Sequence, residues 1–341
     1  MAAITIALDC TGGDDGEAPN VAGAVRAARD FGVVVVLVGR PEKIGAELKK
    51  HDLTGLSLPV VEAADEVTMD EHPAQAVRRK PAASINIALR AVKDGTAGAA
   101  VSAGNSGATM VAALLHLGRI TGIERPAIGA ILPSLNGDVL LIDTGANTEV
   151  RPAYLVQFAQ MGSLYMEKVR GVRSPRIGLL ANGEEATKGT QIVQETHALL
   201  RETPGLNFVG NVEGRDVAKG ICDVCVTDGF TGNVLLKTAE GTASFMSTVL
   251  RRELTKTWPR KLAAAALRPA FRALRDTLDP AREGGALLFG VNGVAVIAHG
   301  HSDARAIRNA IRVAKECLEG DAVGAIRAVA AGHARSERGD E

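Results

Sequence analysis

The chain has 341 residues, 46% hydrophobic and 23% charged, and Lys+Arg and Asp+Glu both stand at 39. That balance leaves no basic footprint for nucleic acid, and 3% aromatic residues leave little base-stacking surface. Apolar runs end after about seven to eight residues, short of the roughly 20 that span a bilayer, and Met1-Ala2-Ala3-Ile4 has no basic segment before an apolar stretch. A cytoplasmic protein is expected.

In chain order, Val/Ile/Leu/Ala-rich runs at 4–8, 33–38, 59–62, 99–102, 127–132, 139–143, 177–180, 208–212, 224–227 and 294–298 predict strands. Helical spacing at 21–31, 85–92, 108–117, 154–169, 191–200, 234–255 and 304–318 predicts the helices between them. Most strands lack in/out alternation, as strands covered on both faces do. The expected fold is therefore α/β, three α/β/α layers around an open, mainly parallel sheet in one domain over 1–331. Residues 332–341 are expected to fray.

Three predicted strands feed Gly-, Asn-, Ser- or Thr-rich loops followed by helices: 102–107, 183–189 and 227–233. Such a loop presents unpaired N–H groups and the positive end of a helix dipole, which is an anion site. Open α/β sheets gather these loops at the carboxyl ends of their strands, so one shared pocket is expected. No G-x-S-x-G elbow is present, and Ser106 reads as a helix N-terminal hydroxyl rather than a nucleophile. The 183–189 loop narrowly misses a Walker A pattern, since Lys188 precedes a glycine rather than Ser or Thr.

Cys10, Cys222, Cys225 and Cys317 make no disulfide framework in a chain of this length. The C-x-x-C at 222–225 lies in an apolar run with no second ligand pair, so it reads as two buried small hydrophobes and not as a metal site. His299 and His301 lack a third ligand in view.

From 245 to 279 the alternation breaks into a helical pair rich in arginine and lysine. In its second segment Phe271 and Leu274 share a face with Leu278, beside a stripe of Arg268, Arg272 and Arg275. Adjacent apolar and basic stripes suit anionic lipid or an acidic protein, and equally a packed helix with a solvated basic side.

With these pieces in place the chain resembles the bacterial phosphate acyltransferase (PlsX) family over residues 4–329. The resemblance rests on an ordered set: Gly12-Gly13-Asp14, 76–80, 102–107, Gly118-Arg119 to Arg125-Pro126, 143–147, 157–161, 170–172, 174–176, Glu185 with Lys188-Gly189, 210–213, 227–233 and 284–286. It departs from the family pattern at Thr11, Ala83, Ala181 and His301. The resemblance implies an architecture like that of phosphotransacetylase and isocitrate dehydrogenase, with no cofactor. It also implies transfer of a long-chain acyl group from acyl carrier protein to inorganic phosphate, giving acyl phosphate for a downstream glycerol-3-phosphate acyltransferase in phospholipid (phosphatidic acid) synthesis. A homodimer in peripheral contact with the inner face of the cell membrane follows from the same likeness, 245–279 forming its protruding part.

The residue chemistry suits that reaction. Hydrogen phosphate attacks a thioester without a strong base, so a cationic, N–H-rich seat and an oxyanion donor suffice. The seat is assigned to Ser102, Gly104, Asn105, Ser106 and Gly107 with Asn233, and Asp143 and Asn147 are placed on its rim. Lys188 is assigned as the catalytic cation and Asp228 as the group that orients it or the phosphate proton. Two alternatives stand beside this reading: a NAD-dependent dehydrogenase of related fold, disfavoured because no G-x-G-x-x-G follows the first strand, and a non-catalytic membrane or acyl-carrier scaffold.

Overall fold

The computed structural model describes residues 3–339 and builds one eleven-stranded sheet between helical layers. The chain opens with β1 (Thr5–Asp9), α1 (Glu17–Phe31), β2 (Val34–Gly39), α2 (Pro41–Leu48), β3 (Val60–Glu62), α3 (Pro73–Arg79), α4 (Ser84–Lys93), β4 (Ala99–Ser102) and α5 (Ser106–His116). It continues through β5 (Ala127–Ser134), β6 (Gly137–Ile142), α6 (Pro152–Lys168), β7 (Arg176–Leu180), α7 (Gln191–Glu202), β8 (Asn207–Val212), α8 (Gly214–Lys219) and β9 (Val224–Val226). A helical excursion of α9 (Gly229–Thr255), α10 (Trp258–Ala266) and α11 (Arg268–Leu278) precedes β10 (Ala286–Phe289), β11 (Val294–Ile297), α12 (Ala304–Glu319) and α13 (Ala322–Gly339).

Both faces of the central strands are covered, which is why their sequences do not alternate. Ile6 and Leu8 of β1 join the cluster packed by α1 and α12, whereas Ala7 joins the one packed by α4 and α5. A third apolar cluster holds Val139, Leu141 and Leu236 with Cys222 and Cys225, so the C-x-x-C thiols are core-packing groups.

Strand order is β3-β2-β1-β4-β11-β10-β5-β6-β9-β7-β8. Most neighbours are parallel, but β11/β10, β10/β5 and β5/β6 are antiparallel. Three successive reversals leave β6, β9, β7 and β8 running opposite to β1, β2, β4 and β11. The carboxyl ends of the first group therefore open on one edge of the sheet and those of the second group on the other. We name the edge where β1, β4 and β11 end the upper edge.

Candidate active site

The upper edge is built around a buried carboxylate. Asp9, 3% exposed at the end of β1, accepts Ser102 Oγ at 2.8 Å on one oxygen. Its other oxygen accepts the N–H groups of Thr11 and Gly12, each at 3.3 Å. Ser102 Oγ in turn accepts Gly104 N at 3.0 Å, which ties the loop after β4 to the loop after β1. The two backbones touch so closely that a Cβ on Gly12 would lie 2.6 Å from Gly104 N; only glycine fits there. A third loop, after β11, closes the set: Gly300 O accepts Asp14 N at 2.7 Å, and Ala298 N donates to Ser102 O at 2.8 Å.

Asn105 caps α5, its Oδ1 accepting Ala108 N at 3.0 Å while its Nδ2 donates to Met69 O at 3.2 Å. With that donor satisfied, Ser106 and Gly107 keep first-turn N–H groups without an intrahelical partner at the end of the dipole. Ser106 is exposed and Gly107 half-buried, with Pro73 beside Gly107.

Next to this seat stands a pair that sequence reasoning missed. His299 Nε2 lies 3.2 Å from Glu240 Oε1, and the His299 and His301 rings stack at 5.6 Å between centroids. Burial opposes charge on Glu240, but hydrogen bonds from His299 and Lys237 outweigh it and hold the carboxyl at about 2. The group thus contributes stability above its ordinary titration range, and that contribution is lost as pH falls toward 2. Glu240 sits about three turns along α9, too far in sequence from His299 for any local motif to pair them.

The other assigned residues lie on the lower edge. Asp143 is fully buried and accepts Ile128 N, Gly145 N, Ala146 N, Asn147 N and Asn147 Nδ2 at 2.7–3.0 Å. Burial raises its pKa in spite of these donors. Asn147 also donates to Pro126 O, so its side chain is committed to the loop. Asp228 caps α9, accepting Thr231 N at 2.8 Å and Thr231 Oγ1 at 2.7 Å. Gly232 lets that first turn close on the Asp143 loop, since a Cβ there would overlap Asp143 O. Asn233 is exposed on the same turn.

Lys188 is exposed in the loop after β7, which is held from within by Asn182 Oδ1 accepting Gly189 N and by Asn211 Nδ2 donating to Glu185 O. The expectation of one pocket for all three loops is therefore corrected. In a single chain the 102–107 loop opens on the upper edge and the 183–189 and 227–233 loops on the lower, roughly 17 Å away for a five-residue strand.

Comparison with known proteins decides the family. Residues 4–323 match the family model described as fatty acid synthesis protein. The chain belongs to this family, the PlsX family of phosphate acyltransferases. Curated relatives named phosphate acyltransferase include one from Desulfitobacterium hafniense, 50% identical over 92% of this chain and 94% of its own length. Another, from Heliobacterium modesticaldum, is 50% identical over 94% and 96%. Among solved structures, a phosphotransacetylase from Staphylococcus aureus superposes with a TM-score of 0.59 at 16% identity, covering 93% of this chain and 94% of that one. A 4-hydroxythreonine-4-phosphate dehydrogenase from Klebsiella pneumoniae reaches 0.54 at 14% identity over 93% and 100%. These two likenesses establish the α/β architecture, and membership of the PlsX family makes the chain an acyltransferase rather than a dehydrogenase.

Proposed function

We propose that this PlsX-family chain transfers a long-chain acyl group from acyl carrier protein to inorganic phosphate at the upper edge. The observation that carries the reading is the joining of three loops through Asp9, Ser102 and Gly300 beneath the N-terminus of α5. Hydrogen phosphate seated on the first-turn N–H groups attacks the thioester carbon, the C–S bond breaks, and the phosphate proton leaves with the thiol. Fixed N–H dipoles stabilise the oxyanion between those steps. Incubation with an acyl-carrier thioester should release free thiol only when phosphate is present. Thiol release independent of phosphate would overturn the reading.

Lys188 and Asp228 enter this proposal from a second copy, since their own edge lies away from the seat. Phe230 and Val234, 64% and 51% exposed beside Asp228, offer apolar surface for such a homodimer contact. Lys188→Ala and Asn105→Leu should each lose most activity, and a refolded mixture of the two should regain about a quarter, because mixed dimers pair one intact seat with one intact lysine. Two inactive variants whose mixture stays inactive would rule out a Lys188 supplied by the second copy.

Peripheral membrane contact is assigned to the helical excursion. No helix among the described residues is long and apolar enough to cross a membrane. Instead Phe245, Met246, Trp258, Leu262 and Leu267 are 53–73% exposed, and on α11 Leu274 is 46% exposed with Phe271 half-buried beside exposed Arg268 and Arg272. The side chain of Arg275 lies outside the described set. Apolar insertion and about 1 kcal/mol per basic residue near an anionic leaflet make reversible binding. Trp258→Glu with Leu262→Glu should abolish co-sedimentation with anionic vesicles and spare thiol release in solution; unchanged sedimentation would move the contact elsewhere.

A further inference from the structure

A sizeable apolar cavity among the described residues is unused by the phosphate seat. It encloses about 270 Å³ between β5, α8 and the middle of α9. Ala130 and Leu132 form its floor, and Val217, Leu235, Leu236 and Ala243 form its walls. These are aliphatic groups with no polar atom to orient a polar ligand, so the space suits hydrocarbon.

The polar lining is confined to one end, and strand direction says which. His299 follows the carboxyl end of β11, Asp138 opens β6, and Arg282 and Glu283 precede β10, so all of them lie at the upper edge. Arg282 and Asp138 are paired there at 3.3 Å, as His299 and Glu240 are at 3.2 Å. The lower end is lined by Gly214 of α8 and Leu235 of α9, which lie against each other. An amphipathic ligand has one way to lie in this space, with its tail down along α9 and its polar end at His299. His299 follows Ala298, whose N–H donates to Ser102 O, so that polar end adjoins the phosphate seat.

We propose that this cavity is the acyl-chain site, seating the hydrocarbon of the donor between β5, α8 and α9 and presenting its carbonyl at His299 beside the Ser102 loop. The inference rests on the acyltransferase reading, to which it adds where the chain goes and which side chains measure its length. An apolar cavity of about 150 Å³ takes a six-carbon ring, so by the same scaling this one takes roughly ten carbons. Each methylene seated there tightens binding about fourfold. Long acyl donors are therefore favoured over short ones, and Leu235, at the tail end, controls by how much.

Two measurements test the proposal. Decanoic acid carrying a terminal diazirine, irradiated with the full-length protein, should label peptides containing 130–132 or 235–243, and excess decanoate should suppress the label where butyrate does not. Label confined to 245–279 would overturn the assignment. Independently, Leu235→Trp should lower the ratio of kcat/KM for decanoyl over butyryl acyl-carrier thioesters at least tenfold, and an unchanged ratio would overturn it too. Should that variant fail to fold, labelling of the unmodified protein decides alone. Absence of phosphate-dependent thiol release from any donor would sink the acyltransferase reading while leaving a labelled cavity as a fatty-acyl binding site, so the two failures are distinguishable.

Discussion

Replacing Gly12 by alanine should lower kcat/KM for phosphate at least a hundredfold while costing only about 1–3 kcal/mol of stability, as an overpacked buried site does. The added Cβ would sit 2.6 Å from Gly104 N and 2.9 Å from Gly104 Cα, both main-chain atoms that cannot swing aside. Relief has to come from parting the loops after β1 and β4. That breaks the Gly104 N to Ser102 Oγ bond and moves the N-terminus of α5, the proposed phosphate seat. A displacement of about 1 Å at such a site costs on the order of a hundredfold in rate. Gly118→Ala is the control, because Gly118 has φ 70° with open space around its would-be Cβ. It should lose about 1–2 kcal/mol to left-handed strain with little change in rate. Chemical denaturation and thiol-release kinetics on both variants separate the effects; if Gly12→Ala kept activity within fivefold, the upper edge would not be where acyl transfer occurs.

The same two loops show what the sequence could and could not disclose. Each apolar run read as a strand became one, because a run such as Val34–Gly39 buried on both faces leaves no other option. The strand β10 escaped because Ala286–Phe289 is short and follows a helical stretch that carries no strand pattern. The helices α2, α3 and α10, each opened by proline in its first turn, are too short to show a period. The strand, loop and helix around 102–107 were legible, yet the partners of that loop were not. A signal for the error did exist: only residues 133–138 separated two predicted strands, too few for the dozen or more that a parallel crossover needs. That spacing demands a hairpin, and β5 and β6 do form one. With the flanking β11/β10 and β10/β5 pairings it turns the remaining strands over, which sends the Lys188 and Asp228 loops to the far edge. The Glu240–His299 pair and the cavity beneath α9 could not be read at all, since both depend on how a long helix lies across a sheet.

Asp143→Ala should be the most destabilising of these single changes, at about 3–5 kcal/mol in urea denaturation, although Asp143 lies far from the proposed phosphate seat of its own chain. Five donors converge on its carboxylate, four of them backbone N–H groups, of which Ile128 N is buried and those of Gly145, Ala146 and Asn147 are part-buried. Each buried donor left unpaired costs about 1–3 kcal/mol, and partial relaxation of the 143–147 loop keeps the sum below the full total. Burial raises the pKa of this group, so its charge is costly and only the donor set makes it tolerable; removing the carboxylate keeps the cost of ordering the loop and discards the compensation. Asp143→Asn should recover part of the loss, because one oxygen still accepts while the new amide group faces donors. Asp228→Ala gives the scale for comparison. It removes an N-cap from α9 and should cost about 1 kcal/mol. The two losses should also differ in kind, since Gly229 N donates to Asn147 O and the first turn of α9 rests on the Asp143 loop. Hydrogen exchange should therefore speed up through α9 in the Asp143→Ala protein, and stay near wild type beyond the first turn in Asp228→Ala. Equal protection of α9 in both would mean that the lower edge is held by the sheet alone and that the buried carboxylate has some other purpose.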